Sequence, residues 1–202
     1  MSDAIRLESP LVRFDLDKRA ALGTNGAGVI VTERAFRGYL DLRGDASDPR
    51  FGDAVTSVVG APPPRIANTV TDTEAATIGW LGPDEWLIIT TGESLASMQA
   101  ALETALTGVR SSVTDISGGQ TELVLRGPAV RDVLAKGCPL DLHPKVFGHG
   151  QCAQTHLARA AVFIRPLEGE SGYGLVFRRS FADYVWEWLE HAGRVLAVGI
   201  AT

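Results

Sequence analysis

The feature of this sequence that most constrains its fold is a unit that occurs twice: a strand hairpin running straight into an amphipathic helix. The first copy covers residues 77–106, with the hairpin WLGPDEWLII and a helix opening at Ser94. The second covers 161–192, with VFIRPLEGESGYGLVF and a helix opening at Ser180. Upstream of each copy stand another strand and another helix, so the order reads β-α-β-β-α-β and then the same again. Helices that follow hairpins must lay their apolar stripes on the sheet those hairpins build. The expectation is an α+β fold of two pseudo-repeated ferredoxin-like halves packed together, each with its helices on one face of an antiparallel sheet.

The helices are marked by their ends. Asp48-Pro49 supplies an N-cap and a proline at the first helical position; Phe51, Val55, Val58 and Val59 follow at helical spacing, and Gly60 ends the run. Ser94 opens a second helix with the stripe Leu95, Met98, Leu102, Ala105 and Leu106, ended by Gly108. Gly127-Pro128 opens a third, with Val130, Val133 and Leu134 inward and Gly137 as terminator. Ser180, with Asp183 three residues on, has the form of a capping box and predicts a fourth helix with the core stripe Phe181, Tyr184, Val185, Trp188 and Leu189.

Between these helices the text predicts strands over 36–42, 75–81, 85–90, 109–116, 120–126, 156–165, 173–178 and 195–200. Gly118-Gly119 reads as a tight joint. The chain therefore divides into an N-terminal extended segment (1–33), a first half (34–117) and a second half (118–202), all within one compact body. Pro62-Pro63-Pro64 is a stiff connector, because prolines cannot continue a helix.

With 45% hydrophobic and 21% charged residues, the 202-residue chain is globular. Its net charge of −5 gives no electrostatic reason to bind nucleic acid or an anionic membrane. No stretch approaches the ~20 apolar residues that span a bilayer, and the charged N-terminal text lacks the apolar run of a signal peptide. Two cysteines, Cys138 and Cys152, cannot make a disulfide framework, so the expected setting is cytoplasmic with reduced thiols.

Candidate chemistry is sparse. The run from Gly23 to Gly28 leads into Val29-Ile-Val-Thr32, which is strand-like, whereas a phosphate cradle needs a helix N-terminus there; the run reads as a surface loop. His143, His149, Cys152 and His156 lie within fourteen residues, but H-x₅-H-x₂-C-x₃-H lacks the tight ligand pairs that aim at one zinc ion. On a strand, Cys152 and His156 share a face about 13 Å apart. Solvated histidines and a buried cysteine are the expectation. Ser117 and Asp115 could be joined with a distant histidine on paper, but no nucleophile elbow surrounds the serine. Asp84 and Glu85 read as turn residues. One residue argues for a partner: Trp186 falls roughly 130° from the centre of the fourth helix's stripe, where an aromatic stays exposed unless something covers it. The alternative is a tryptophan shielded by the N-terminal segment or by arginine side chains.

A resemblance fits these observations. Tyr39-Leu-Asp-Leu-Arg-Gly-Asp45, Asp48-Pro49, Asn68-Thr69, the block Trp80-Leu-Gly-Pro-Asp-Glu-Trp-Leu-Ile88, Thr114-Asp-Ile-Ser117, Leu125-Arg-Gly-Pro128 and Gly137-Cys-Pro-Leu-Asp-Leu142 together resemble the gamma-subunit family of heterotetrameric sarcosine oxidases. The likeness extends over essentially residues 5–198. The wider superfamily contains the glycine-cleavage aminomethyltransferases and related folate-binding proteins, in which LxGP opening a helix and a late GY strand, here Gly172-Tyr173, recur in the same order.

The resemblance implies a non-catalytic structural subunit of a cytoplasmic flavoenzyme complex that oxidatively demethylates sarcosine. The products are glycine, hydrogen peroxide, and formaldehyde or methylene-tetrahydrofolate. It implies FAD, FMN and NAD on the alpha and beta subunits, zinc on the delta subunit, and tetrahydrofolate on a subunit other than this one. For this chain it implies no catalytic, cofactor-binding or metal-binding residue, and partners among the alpha, beta and delta subunits. The aminomethyltransferases carry a catalytic aspartate after a Gly-Gly pair near the first hairpin, whereas residues 68–76 here read NTVTDTEAA. The alternative is a stand-alone folate-binding protein or one-carbon transfer enzyme of the same fold. It would need a pocket between the halves, with Trp80, Trp86 and Tyr173 available for stacking.

Overall fold

The computed structural model describes residues 7–168 and 172–201. Its strands, β1 (Val29–Arg34), β2 (Gly38–Gly44), β3 (Val70–Asp72), β4 (Thr77–Gly82), β5 (Glu85–Thr90), β6 (Ser111–Asp115), β7 (Gln120–Arg126), β8 (Ala153–Leu157), β9 (Ala160–Pro166), β10 (Gly172–Arg178) and β11 (Val198–Ala201), form two sheets. The first has the order β3-β4-β5-β2-β6 and is antiparallel throughout. The second has the order β11-β1-β7-β10-β9-β8, antiparallel except where β11 runs parallel to β1.

Alternation along the strands assigns each sheet two buried faces. In the first sheet Leu40, Leu42, Ile78, Trp86 and Ile88 turn toward α2 (Pro49–Val59) and α3 (Leu95–Ala105), where they meet Phe51, Val55, Met98 and Leu102. In the second sheet Leu123, Leu125, Val162, Ile164, Tyr173 and Leu175 turn toward α4 (Val130–Leu134) and α5 (Ala182–Gly193). The opposite faces, with Tyr39, Leu87, Ile89, Phe163 and Val176, close on each other in a third apolar cluster. The result is four layers: helices, sheet, sheet, helices. Phe163 reaches across at Gly79, where an added Cβ would stand 2.4 Å from the phenylalanine Cζ.

Several local expectations hold. Asp48 accepts a hydrogen bond from the Arg50 backbone N–H at the start of α2, and Gly60 ends that helix in the left-handed region at φ 91°. β5 and β7 have the predicted bounds. Others are corrected. Residues 1–33 are not simply an extended segment: α1 (Leu16–Ala20) forms, and β1 inserts between β7 and β11 of the second sheet. Sequence adjacency hid this, because β1 pairs with strands some ninety residues or more away. The strand predicted over 156–165 is two strands, broken where Ala158 takes φ 52°. Ser180 caps nothing. A 3₁₀ turn, Arg179–Phe181, precedes α5, and Asp183 bonds Arg13 instead. The buried stripe of α5 is Ala182, Val185, Trp186, Leu189 and Ala192, leaving Phe181 and Tyr184 near the surface.

Candidate functional site

The ionisable residues that could do chemistry collect where the two sheets meet. Glu122 sits on β7 facing the first sheet and is fully buried. Arg165 on β9, also buried, places Nη2 3.6 Å from one Glu122 oxygen and Nη1 3.6 Å from Asp72 of β3. Arg34, at the end of β1, approaches the other Glu122 oxygen at 3.9 Å. A carboxylate removed from water needs opposite charge close by, and two guanidinium groups supply it. Asp72 meets His149 at 3.8 Å on its outer side. The Tyr39 hydroxyl lies in the same region; burial, reinforced by the Glu122 charge, pushes its ionisation above the ordinary phenol range. It stays neutral at any physiological pH.

Below this cluster the two sheets part into a cleft of about 720 Å³. Its floor is apolar, with Leu81, Leu87, Ile116, Phe163 and Val176. Asp41, Glu85 and Asp115 line the wall from the first sheet, and Gln154, His156 and Arg178 the wall from the second. Glu85 and Asp115 are closely engaged, whereas Asp41 Oδ1 is buried without a hydrogen-bond partner among the described residues. Arg43 lies 2.8 Å from Glu85 and 3.6 Å from Asp41, and Asp115 accepts the Ser117 backbone N–H. The cleft has room for a small molecule or a peptide segment.

The predicted candidates separate accordingly. Ser117 holds the strand crossing: its hydroxyl accepts the Tyr39 N–H at 2.9 Å and donates to the Tyr39 carbonyl. Asp84 sits in the β4–β5 turn, its carbonyl taking the Gly44 N–H. The Cys152 thiol is buried and donates to the Thr69 carbonyl at 3.2 Å; burial pushes it up to about 11, so it is a poor nucleophile. His143 receives the Lys145 N–H within its own loop, His149 stands by Asp72, and His156 borders the cleft. Among the described residues no three His, Cys, Asp or Glu side chains converge as a metal site would require. The loop 23–28 is not a cradle: the Gly28 N–H bonds the Leu196 and Ala197 carbonyls, which registers β1 beside β11.

Two expectations fail on geometry. Trp186, the predicted partner-interface residue, is 1% exposed. Phe14 packs on it with ring centroids 5.6 Å apart, and the Arg19 guanidinium lies 5.3 Å from its ring. The N-terminal segment covers the flank that α5 alone would leave open, so the shielded alternative describes this tryptophan. The three aromatics available to a pterin do not meet. Trp86 packs at a tilt against Phe51 and donates to the Pro64 carbonyl in the first helix-side core, and Trp80 packs on that same core. Tyr173 lies in the second helix-side core, bonded to the Leu142 carbonyl. Both sheets stand between them. What sequence reasoning missed is the Glu122–Arg165–Asp72 cluster, whose members are dispersed in the chain and carry no motif.

Comparison with known proteins decides the lineage. Residues 43–194 match the sarcosine oxidase, gamma subunit family. The chain belongs to that family. It is 32% identical to the sarcosine oxidase subunit gamma of Corynebacterium sp. (strain P-1) over 193 residues, covering 94% of each chain. To the subunit gamma of an Arthrobacter species it is 31% identical over 175 residues, covering 86% of this chain and 84% of the relative. The heterotetrameric sarcosine oxidase from Corynebacterium sp. U-96, in complex with pyrrole 2-carboxylate, contains a similar chain with TM-score 0.83, 30% identity, and coverage of 95% and 96%. The glycine cleavage system aminomethyltransferase T of Bartonella henselae shares the fold at TM-score 0.65 and 16% identity, over 92% of this chain and 50% of its own. No described helix of this sarcosine oxidase gamma family member is long and apolar enough to cross a membrane.

Proposed function

We propose that this chain is the gamma subunit of a cytoplasmic, heterotetrameric sarcosine oxidase and contributes structure rather than chemistry. The observation that carries the reading is the match to a chain of a heterotetrameric sarcosine oxidase over 95% of the sequence. The reaction of such a complex converts sarcosine, oxygen and water to glycine, formaldehyde and hydrogen peroxide, or delivers the methyl carbon to tetrahydrofolate. It calls for flavin and for a substrate pocket, and FAD, FMN, NAD, zinc and tetrahydrofolate are assigned to the other subunits. The engaged carboxylates, raised thiol and neutral phenol of this chain support that division of labour. The two sheets are read as duplicated ferredoxin-like units, the first with β3 added at its edge and the second with β1 inserted and β8 added at its edge. Such a double layer offers rigid outer surfaces to the alpha, beta and delta subunits.

The test is co-expression with and without the candidate alpha, beta and delta subunits, followed by size-exclusion at flavin wavelengths. Co-elution with a yellow, sarcosine-oxidising complex, and a colourless chain alone, is the expected result. A colourless monomer that ignores those partners and binds tetrahydrofolate by calorimetry would overturn the reading in favour of a free-standing folate protein.

A further inference from the structure

The chain contains two asparagines, Asn25 and Asn68, and their surroundings differ. Asn25 is followed by Gly26, which has no Cβ to shield its backbone nitrogen from the neighbouring side-chain amide. The pair forms the centre of an exposed turn, closed by the Ala27 N–H on the Thr24 carbonyl at 3.0 Å. The Gly26 N–H takes no hydrogen-bond partner among the described residues, and nothing lies within 4 Å of where a Cβ would stand. The nitrogen that could attack the amide is therefore unengaged and open to water and base. Asn68 is the contrast. Branched Thr69 follows it and crowds the same approach, and its carbonyl is tied to the Cys152 N–H at 2.9 Å.

The turn also clips an edge strand in place. A Cβ on Gly199 would stand 2.9 Å from Ala27 Cβ and 3.2 Å from Thr24 Cβ, so the residues on either side of Asn25-Gly26 press on the middle of β11. Just beyond the turn, the Gly28 N–H bonds the Leu196 and Ala197 carbonyls and sets β11 beside β1. Among the described residues β11 has no other strand neighbour. Its Ile200 is buried in the second helix-side core, and a Cβ on Gly193 of α5 would stand 2.2 Å from Val198 Cγ2. The length of main chain between Thr24 and Gly28 thus decides whether both contacts to β11 can be made at once.

We propose that Asn25 is a site of spontaneous modification, ageing through a cyclic imide to isoaspartate, and that the change loosens β11 from the second sheet. Base removes the Gly26 N–H proton, and the nitrogen attacks Asn25 Cγ. A C–N bond forms as the Cγ–Nδ2 bond breaks, and the amide nitrogen takes a proton from solvent and leaves as ammonia. Water then opens the imide at one of its two carbonyls. Opening at Cγ gives aspartate; opening at the main-chain carbonyl gives isoaspartate, whose main chain runs through Cβ and Cγ and is one atom longer. Both products carry a negative charge where the amide was neutral, and no electron changes hands. The lengthened turn cannot keep Thr24 and Ala27 on Gly199 while Gly28 stays in register with Leu196 and Ala197.

The experiment ages the full chain in mildly alkaline buffer, folded and in urea, and follows the tryptic peptide 20–34 by mass and the strands by hydrogen exchange. The folded chain should convert this peptide to aspartate and isoaspartate forms, isoaspartate in excess, at a rate within about tenfold of the chain in urea. The peptide that carries Asn68 should stay intact. In the aged fraction the amides of β11 should exchange about tenfold faster or more, with β2 and β5 unchanged. Asn25→Gln, whose longer side chain closes only a larger and slower ring, should keep β11 protected through the same ageing. Fresh Asn25→Asp, which has the charge on a normal main chain, should exchange like the native protein. An intact peptide 20–34 in the folded chain, beside conversion in urea, would overturn the site. Isoaspartate with β11 still protected would overturn the loosening, and so would rapid β11 exchange in fresh Asn25→Asp, which would assign the effect to charge rather than to main-chain length.

Discussion

The first sheet is covered by helices that the chain lays down beside it, whereas the second is completed from the far end of the sequence. α2 and α3 follow β2 and β5 directly, and their stripes meet residues of β2, β4 and β5 within one stretch of chain. In the second sheet β1 stands between β7 and β11, and Leu11, Phe14 and Arg19 finish the cover over α5. One half is built by neighbours and the other by borrowing. The borrowed pieces close long loops, so their contacts must outweigh a larger ordering entropy than the local ones do. The difference also locks the halves together, since the chain that completes the second sheet continues through Phe36 into the first.

The largest effect should come from removing what is borrowed. Deletion of residues 1–20 uncovers Trp186; about 200 Å² of newly wetted apolar surface at ~25 cal/mol per Å² amounts to about 5 kcal/mol. Urea unfolding should show that loss together with red-shifted tryptophan emission, while hydrogen exchange keeps β2 and β5 protected. Equal loss of protection in both sheets would mean that the seam, not the local helices, holds the first half. Next comes the seam itself. Glu122→Ala leaves Arg165 without its buried partner and should cost about 3–5 kcal/mol, whereas Glu122→Met combined with Arg165→Met should recover most of it. A double variant as unstable as the single one would show that the cluster stabilises the sandwich by more than mutual compensation.

This contrast also explains what the sequence made legible. Where the signal is local the reading succeeds: Asp48-Pro49 and Gly60 bound α2, and Gly82-Pro83-Asp84 joins β4 to β5. Where a position is decided by distant chain it fails. Val29–Thr32 looks strand-like, but nothing near it tells which strands it will pair with. Trp186 lies off the stripe of an isolated helix and is buried only because residues 11–20 return over it. Gly92 gave no sign that it lies against the Phe36 carbonyl, because that contact joins a loop to the approach of another helix. The family resemblance rested on residues of the local kind, chiefly the β4–β5 hairpin, and so remained visible despite the errors elsewhere.

A smaller effect separates the seam from both outer cores through pH. The Cys152 thiol, ordinarily near 9.0, is pushed up to about 11 by burial between the sheets. The folded chain then keeps a proton that the unfolded chain releases, so stability is full below pH 9 and declines as pH rises toward 11, by about 2 kcal/mol. Tyr39, raised from its ordinary 10.0 by the same burial and by Glu122, adds to the decline above pH 10. Cys152→Ala should flatten the first part of that slope in urea titrations run at successive pH values, and Tyr39→Phe the second. A slope unchanged by Cys152→Ala would place the alkaline sensitivity outside the seam.

The smallest effect tests the comparison at two helix starts. Asp48 and Ser180 look alike in sequence, each a short polar residue ahead of an apolar run. Only Asp48 caps its helix, accepting the Arg50 N–H at 2.9 Å. Ser180 lies inside the 3₁₀ turn that leads into α5, and that helix is steadied instead by Arg13 on Asp183 and Glu187. Ser180→Ala should therefore change stability by no more than about 0.5 kcal/mol, and Asp48→Ala by clearly more, because it leaves a backbone donor of α2 without its carboxylate. Arg13→Ala, which removes exposed ion pairs, should cost less than about 1 kcal/mol, and the cost should shrink at high salt. Equal losses for the two cap variants would mean that α5 is started by its own sequence after all, and that the second half borrows its cover but not its helix.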